Sequence, residues 1–161
     1  SEEEESDSII DDLVAKALIM IQDKVDNLGH WEMQLLVSGL LQGMGYNVDE
    51  MKKGPDGGVD ILAYKDAFGF EQPIIKVQVK HRKLTSSAPE IQQLLGANPF
   101  NANGLFVSTG GFTSQAINVA KQHNVKLLDL EGLVKMVVDW YDKMPNETRS
   151  LIPLQKVYLP K

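Results

Sequence analysis

The sequence predicts a mixed α/β domain in which helices flank a central sheet. Stretches with apolar residues at helical spacing alternate with short runs in which every second residue is apolar. The predicted order is a helix, three strands, a helix, a strand, a helix, a strand and a final helix, which contains an αβββαβ core. With 161 residues, 43% of them apolar, the chain is long enough to bury one hydrophobic core.

The main domain is predicted over residues 27–142. Its first helix runs from Trp31 to Met44 and ends at Gly45. Turn-forming residues mark the ends of the elements that follow. These are the strands Tyr46–Met51, Val59–Tyr64 and Ile74–Lys80, the helix Ala88–Ala97, the strand Gly104–Ser108, the helix Thr113–His123, the strand Val125–Leu130 and the helix Glu131–Trp140.

The two ends of the chain differ from this domain in composition. Ser1 to Ser8 is a polar acidic run, which we expect to be disordered. Residues 9–26 carry apolar residues at helical spacing, which predicts a helix or linker that joins the domain to a module outside this chain. Residues 143–161 are predicted to form a tail or arm, in which Ile152–Leu159 could be an edge strand.

The charge of the chain is unevenly distributed. The net charge is −6, and residues 1–26 hold nine acidic residues against two lysines, so residues 27–161 have a net charge of +1. DNA-binding domains are usually basic, so a DNA site here has to be a local patch.

The chain has no cysteine, which excludes disulfides and thiolate metal sites and makes a reducing cytoplasm the default expectation. No apolar run approaches the ~20 residues that span a bilayer, so we expect no membrane partner.

Three polar residues on neighbouring predicted strands could do chemistry. Gln78 and Lys80 share one face of their strand, roughly 7 Å apart. Asp60 opens the preceding strand after a glycine-rich turn, and it stands beside Gln78 if the two strands pair as a hairpin. A carboxylate and an amide oxygen suit Mg²⁺, and a lysine can activate water or balance developing charge. The alternative is an ordinary solvated strand face, with Asp60 only finishing the turn.

Glu32 is a further candidate, because on its helix it shares a face with the apolar residues Leu35, Leu36 and Leu40. A carboxylate on a buried stripe is costly unless it has a partner or a cation. The alternative is an acidic first-turn residue that the helix dipole favours.

Basic and glycine residues near these strands suggest phosphate contacts. The basic residues other than Lys80 are Lys52, Lys53, Lys76, Arg82 and Lys83. Gly110 and Gly111 precede a helix and could offer backbone N–H groups to a phosphate. The alternatives are a solvated strand end and a plain turn capped by Thr113.

Four segments together resemble the Mrr-type catalytic domain of the PD-(D/E)xK nuclease superfamily, which includes restriction enzymes directed at methylated DNA. The resemblance extends from about Gly29 to Val138, and its motifs are Trp31-Glu32, Gly54–Ile61, Val77–Lys80 and Phe106–Thr113. It implies a restriction-endonuclease-like fold that cleaves double-stranded DNA with Mg²⁺, for which Mn²⁺ could substitute. Gln78 stands at the place of the superfamily's second acidic ligand, where the Mrr branch carries glutamine.

The resemblance also implies roles for single residues. Asp60, Gln78 and the backbone carbonyl of Val79 would hold the metal, and Glu32 would act directly or through water. Lys80 would be the base or the electrostatic stabiliser. A homodimer is left open, and a DNA-reading domain is expected outside this chain.

Two other functions compete with cleavage. One is a catalytically silent nuclease-fold module that binds DNA or a partner protein. The set of Glu32, Asp60, Gln78 and Lys80 argues against it, because a binding module needs no such set. The other is a nucleotide-binding domain that uses Gly110 and Gly111, but the sequence has neither a P-loop nor a dinucleotide fingerprint.

Overall fold

Five strands form one mixed sheet in the computed structural model, which describes residues 1–51 and 58–161. The strands lie in the sheet in their order along the chain. β2 is antiparallel to both of its neighbours, β1 and β3, whereas β3, β4 and β5 are parallel. Their bounds are β1 Asn47–Glu50, β2 Ile61–Tyr64, β3 Ile75–Lys80, β4 Asn103–Ser108 and β5 Lys126–Leu128. The predicted mixed sheet is confirmed.

Six α-helices surround this sheet in the described part of the chain. The parallel connections from β3 to β4 and from β4 to β5 each contain one helix, as parallel neighbours require. The helices are α1 Glu2–Asp26, α2 His30–Gly43, α3 Ala88–Gly96, α4 Ser114–Gln122, α5 Leu130–Trp140 and α6 Asn146–Leu151, with a 3₁₀ turn at Tyr141–Lys143.

The two faces of the sheet bury different side chains. On one face, Ile61, Val77 and Val107 pack with apolar residues of α1, α2 and α5. On the other face, Phe106 packs with residues of α3 and α4 such as Ile91. Because side chains alternate along a strand, Val77 points to the first face while Lys76 and Gln78 point to the second.

Helix α1 is longer than the sequence analysis predicts, because it begins at Glu2 and includes the run expected to be disordered. The Ser1 hydroxyl accepts a hydrogen bond from the Glu4 backbone N–H, and the Glu4 carboxylate reaches back to the Ser1 nitrogen. Four glutamates in the first turn also complement the positive end of the helix dipole. Only the last turns, through Leu18, Ile21 and Val25, pack against the domain.

The segment after residue 142 packs partly on α2. Thr148 of α6 fits against Gly39, where a Cβ would lie 1.9 Å from the Thr148 Oγ1. The Tyr141 hydroxyl donates to the Ile152 carbonyl at 2.8 Å and accepts from the Leu154 N–H at 2.9 Å. Residues 153–161 have neither helix nor strand, so the edge strand considered there is not formed.

No helix among the described residues combines the length and the apolar character that crossing a membrane requires.

Candidate functional site

Asp60 immediately precedes β2 and is held by backbone and side-chain hydrogen bonds. Its N–H donates to the Val77 carbonyl at 2.7 Å, and its carbonyl accepts from Met51 at 2.8 Å. The carboxylate Oδ2 accepts from Gln78 Nε2 at 3.0 Å and from the Val79 N–H at 2.7 Å. The antiparallel register that pairs Ile61 with Val77 therefore brings Asp60 beside Gln78, as the hairpin argument predicts.

Gln78 and Lys80 occupy the face of β3 opposite to Val77. Gln78 is 5% exposed, and its amide nitrogen faces Asp60. Lys80 is half-buried at the last position of β3, paired in register with Ser108 of β4. Its ammonium forms no ion pair with any residue of 1–51 or 58–161. Within those two ranges, no carboxylate neutralises the Lys80 charge at the end of the strand.

A pocket of about 170 Å³ opens beside Asp60. It is lined by His30, Trp31 and Gln34 of the first two turns of α2, by Asp60 just before β2 and by Val79 of β3. The start of α2 is fixed there by His81, whose Nε2 lies 2.6 Å from the Leu28 carbonyl and whose Nδ1 lies 2.9 Å from Thr109 Oγ1. His81 thus connects the end of β3 to the loop before α2 and to Thr109, the residue after β4.

Gln34 is a pocket residue that the sequence analysis missed. It is 7% exposed, and its Nε2 has no hydrogen-bond partner among the described residues. The sequence does carry a signal for it, because Gln34 lies three and seven residues before Val37 and Leu41 on the buried stripe of α2. A glutamine on such a stripe is an amide that needs a partner.

Glu32 is not a buried carboxylate, so that expectation is wrong. The buried stripe of α2 includes Met33, Leu36 and Val37, and Glu32 falls on the exposed side. Its Oε1 accepts a hydrogen bond from the Gly29 N–H at 3.1 Å. The structure therefore agrees with the alternative, an acidic residue in the first turn, and Glu32 does not line the pocket beside Asp60.

Lys76 does not belong to a basic surface, contrary to the sequence analysis. It is 1% exposed, and its ammonium donates to the Leu95 carbonyl at 3.0 Å and to the Ala97 carbonyl at 2.7 Å. These carbonyls belong to the C-terminal end of α3, where a cation complements the helix dipole. Burial lowers the pKa of Lys76. The expectation fails because α3 covers the face of β3 from which Lys76 projects.

Arg82 is already paired within the protein. Its guanidinium contacts the Glu90 carboxylate and lies 3.3 Å from the Ser86 hydroxyl. Burial alone would raise the pKa of Glu90, but the Ser87 N–H and Arg82 outweigh it and hold that pKa below its ordinary value. The guanidinium therefore fixes the start of α3.

The remaining basic candidates lie elsewhere. Lys83 is exposed. Lys52, Lys53 and the Gly54–Gly57 part of the glycine-rich motif lie outside the described residues.

The glycine pair Gly110-Gly111 forms a packed turn, which agrees with the alternative to a phosphate site. A Cβ on Gly110 would lie 2.3 Å from the Leu84 carbonyl oxygen, and Gly111 has a φ of 81°. The Gly111 N–H donates to the Ser108 carbonyl at 3.1 Å and is not free for a phosphate. The Thr113 hydroxyl caps α4 by accepting from the Ala116 N–H at 3.1 Å.

The donors around Asp60 suit a hard cation. No three His, Cys, Asp or Glu side chains converge to hold a metal within the part of the chain that the structure describes. The set instead combines one carboxylate, of Asp60, with the amide oxygen of Gln78 and the carbonyl of Val79. Mg²⁺ commonly takes one or two carboxylates and keeps several waters, whereas Zn²⁺ needs three or four strong nitrogen, sulfur or carboxylate ligands. The residues therefore fit Mg²⁺ or Mn²⁺ rather than Zn²⁺.

Known proteins are similar to this chain in sequence and in fold. The Mrr_cat family model, described as a restriction endonuclease, matches residues 25–137. EcoKMrr of Escherichia coli (strain K12), a type IV methyl-directed restriction enzyme, is 31% identical over 153 residues, which cover 85% of this chain and 50% of that protein. The chain thus spans about half the length of this curated relative.

Two solved restriction endonucleases share the fold at lower identity. MspJI in complex with a 27-mer oligonucleotide has a TM-score of 0.55 and 20% identity, over 86% of this chain and 35% of its own. AspBHI, a DNA modification-dependent enzyme, has a TM-score of 0.58 and 15% identity, over 84% of this chain and 38% of its own. Because the family match covers well over half of the sequence and the fold agrees with it, the chain belongs to the Mrr_cat family of restriction endonuclease domains.

Proposed function

We propose that this domain hydrolyses phosphodiester bonds of double-stranded DNA in a reaction that depends on Mg²⁺, or on Mn²⁺ in its place. The observation that carries the proposal is the convergence of Asp60, Gln78 and Val79 at one strand end, beside Lys80, which has no ion-pair partner among the described residues. Family membership supports the nuclease class. The relative described as methyl-directed supports modified DNA as the substrate, with the module that reads the modification outside this chain.

Asp60, Gln78 and the Val79 carbonyl would hold the cation. When bound, such a cation polarises the scissile phosphate and lowers the pKa of a water molecule. The two hydrogen bonds to Oδ2 fix the orientation of the Asp60 carboxylate, so the carboxylate is preorganised for the cation. Gln78 uses its amide nitrogen for that bond, so Oε1 is the atom that it has to offer to the cation.

Lys80 supplies the positive charge of the site. Because its ammonium has no carboxylate partner among the described residues, its charge can act on an attacking water or on the negative charge that develops on the phosphate. Glu32 would act through water, because it does not line the pocket beside Asp60 and its Oε1 accepts from the Gly29 N–H.

The test is cleavage of supercoiled plasmid, methylated and unmethylated, with Mg²⁺, Mn²⁺ or EDTA. We expect cleavage by the parent protein with either metal and none in EDTA. A product nicked in one strand would indicate a single active site per event, whereas direct linearisation would favour a homodimer that cuts both strands.

The Asp60→Ala variant should bind DNA but not cut it. The substitution leaves the Gln78 amide and the Val79 N–H without their acceptor, so a loss of about 1–3 kcal/mol in stability is expected as well. Asp60→Asn is the matched control for folding, because its amide oxygen can still accept from Val79. Undiminished metal-dependent cutting by folded Asp60→Ala would overturn the site, and binding without cutting by the parent would favour the silent module.

A further inference from the structure

Helix α2 carries two buried polar side chains that lack hydrogen bonds to described residues. Gln34 is 7% exposed with an unpaired Nε2, and Ser38, one turn later, is 2% exposed with an unpaired Oγ. A buried polar atom without a partner destabilises the folded protein, so each of them needs an explanation. Their surroundings differ.

Ser38 faces a pocket made by α2, β1 and α6, away from the proposed site. Gln34 instead shares the pocket of about 170 Å³ with Asp60 and Val79. Gln34 thus lines the same pocket as the residue whose carboxylate would hold the cation. Ser38 is the comparison for Gln34, because both are buried polar residues of α2 without a partner for one atom among the described residues, and they line different pockets.

The Gln34 atom without a partner among the described residues is Nε2, a donor, so the group that would pair with it is an acceptor. The nearby Asp60 Oδ2 already accepts two hydrogen bonds, from Gln78 and Val79. A ligand that enters the pocket with an oxygen acceptor would satisfy Gln34. The non-bridging oxygens of a phosphodiester are strong acceptors, and an amide donor attracts them without adding negative charge next to Asp60.

We propose that Gln34 binds the DNA phosphate that is cut at this site, by donating a hydrogen bond from Nε2 to one of its non-bridging oxygens. The inference rests on the proposed function and deepens it. Negative charge on these oxygens grows in the transition state, so the hydrogen bond strengthens as the reaction proceeds. Gln34 therefore contributes to DNA affinity and, to a larger extent, to the rate of cleavage.

The first test compares Gln34→Met, an apolar side chain of similar length, with Ser38→Ala. Three quantities are measured: urea unfolding, anisotropy of a labelled DNA duplex in EDTA at low salt, and single-turnover cleavage with Mg²⁺. Gln34→Met should be at least as stable as the parent, because it removes an unpaired amide. Its DNA affinity should fall and its cleavage rate should fall roughly 10- to 100-fold. Ser38→Ala should leave affinity and rate unchanged.

The second test probes the proposed contact directly. A methylphosphonate at the mapped cleavage position replaces one non-bridging oxygen with a methyl group, in either of two stereoisomers. The parent should lose rate with both isomers, whereas Gln34→Met should lose much less than the parent with the isomer that lacks the contacted oxygen. Equal losses in parent and variant for both isomers would overturn the contact.

The outcomes also separate this inference from the proposed function. If the parent binds and cuts DNA but Gln34→Met does so equally well, the inference is wrong and the function stands. If Gln34→Met loses stability and activity together, Gln34 has a structural role and the inference is wrong. If the parent neither binds nor cuts DNA, both the proposed function and the inference that rests on it are wrong.

Discussion

Gln78 is the residue at which a change of charge tests the site most sharply. Its amide donates to Asp60 at 3.0 Å, so Gln78→Glu would replace that bond with two facing carboxylates. Without metal the variant should be less stable than the parent by roughly 1–3 kcal/mol. A divalent cation between the carboxylates should restore the loss, so its Tm should rise with Mn²⁺ more steeply than that of the parent. Cleavage should remain substantial, because an oxygen ligand is kept.

Two other variants are the controls for this prediction. Gln78→Ala removes the amide oxygen and should be nearly inactive. Lys80→Ala should lose comparable activity but still respond to Mn²⁺ in thermal unfolding, since an ammonium is not a ligand. If the Tm of Gln78→Glu depends on Mn²⁺ no more than that of the parent, or if Gln78→Ala cuts like the parent, Gln78 is not a ligand.

At the scale of the elements, hydrogen bonds from Lys76 of β3 stabilise the packing of α3 on the sheet. Its ammonium satisfies two carbonyls at the end of α3, Leu95 and Ala97. Lys76→Met keeps the length of the side chain but leaves both carbonyls without this donor, so stability should fall by about 1–3 kcal/mol. Methionine also avoids the desolvation cost of the buried ammonium, which reduces the loss of stability without cancelling it. DNA affinity should not change, because the side chain is 1% exposed.

The measurement for Lys76→Met combines urea unfolding with a DNA-binding titration. Lys83→Met is the matched control, since Lys83 is exposed. It should weaken DNA binding modestly at low salt without a change in stability. Weaker DNA binding by Lys76→Met at unchanged stability would contradict the structural role.

At the scale of the whole molecule, the acidic start of α1 opposes DNA binding by its charge. Residues 1–8 carry five negative charges on exposed turns of the helix. Deleting them should tighten DNA binding at low salt, and the gain should vanish as salt rises, since the screening length is only about 10 Å at 0.1 M. Stability should change by no more than about 0.5 kcal/mol, because these side chains do not pack on the domain.

The control for this prediction keeps the helix and removes only the charge. Glu2, Glu3, Glu4 and Glu5 are replaced together by glutamine, and the variant should reproduce most of the gain in affinity. An affinity that stays the same as the parent's across a salt titration, for both changes, would show that the acidic turns do not influence DNA.

Features set by local physics could be predicted from the sequence. The strand and helix positions follow from apolar periodicity and turn residues. The neighbourhood of Asp60 and Gln78 follows from one hairpin and from the alternation of side chains, both of which act over short stretches of chain. The four motifs were enough to indicate the family, which the comparisons confirm.

The tertiary structure alone decided which polar groups are used inside the protein and which remain for a ligand. Glu32 and Gln34 are two positions apart, and the exact phase of α2 against the sheet exposes the carboxylate and buries the amide in the pocket. Lys76 and Arg82 look basic and available in the sequence, but α3 supplies carbonyls to one and a carboxylate to the other. Such pairings join residues distant in the chain, and their energies depend on burial and on the partner that packing provides, which no local pattern contains.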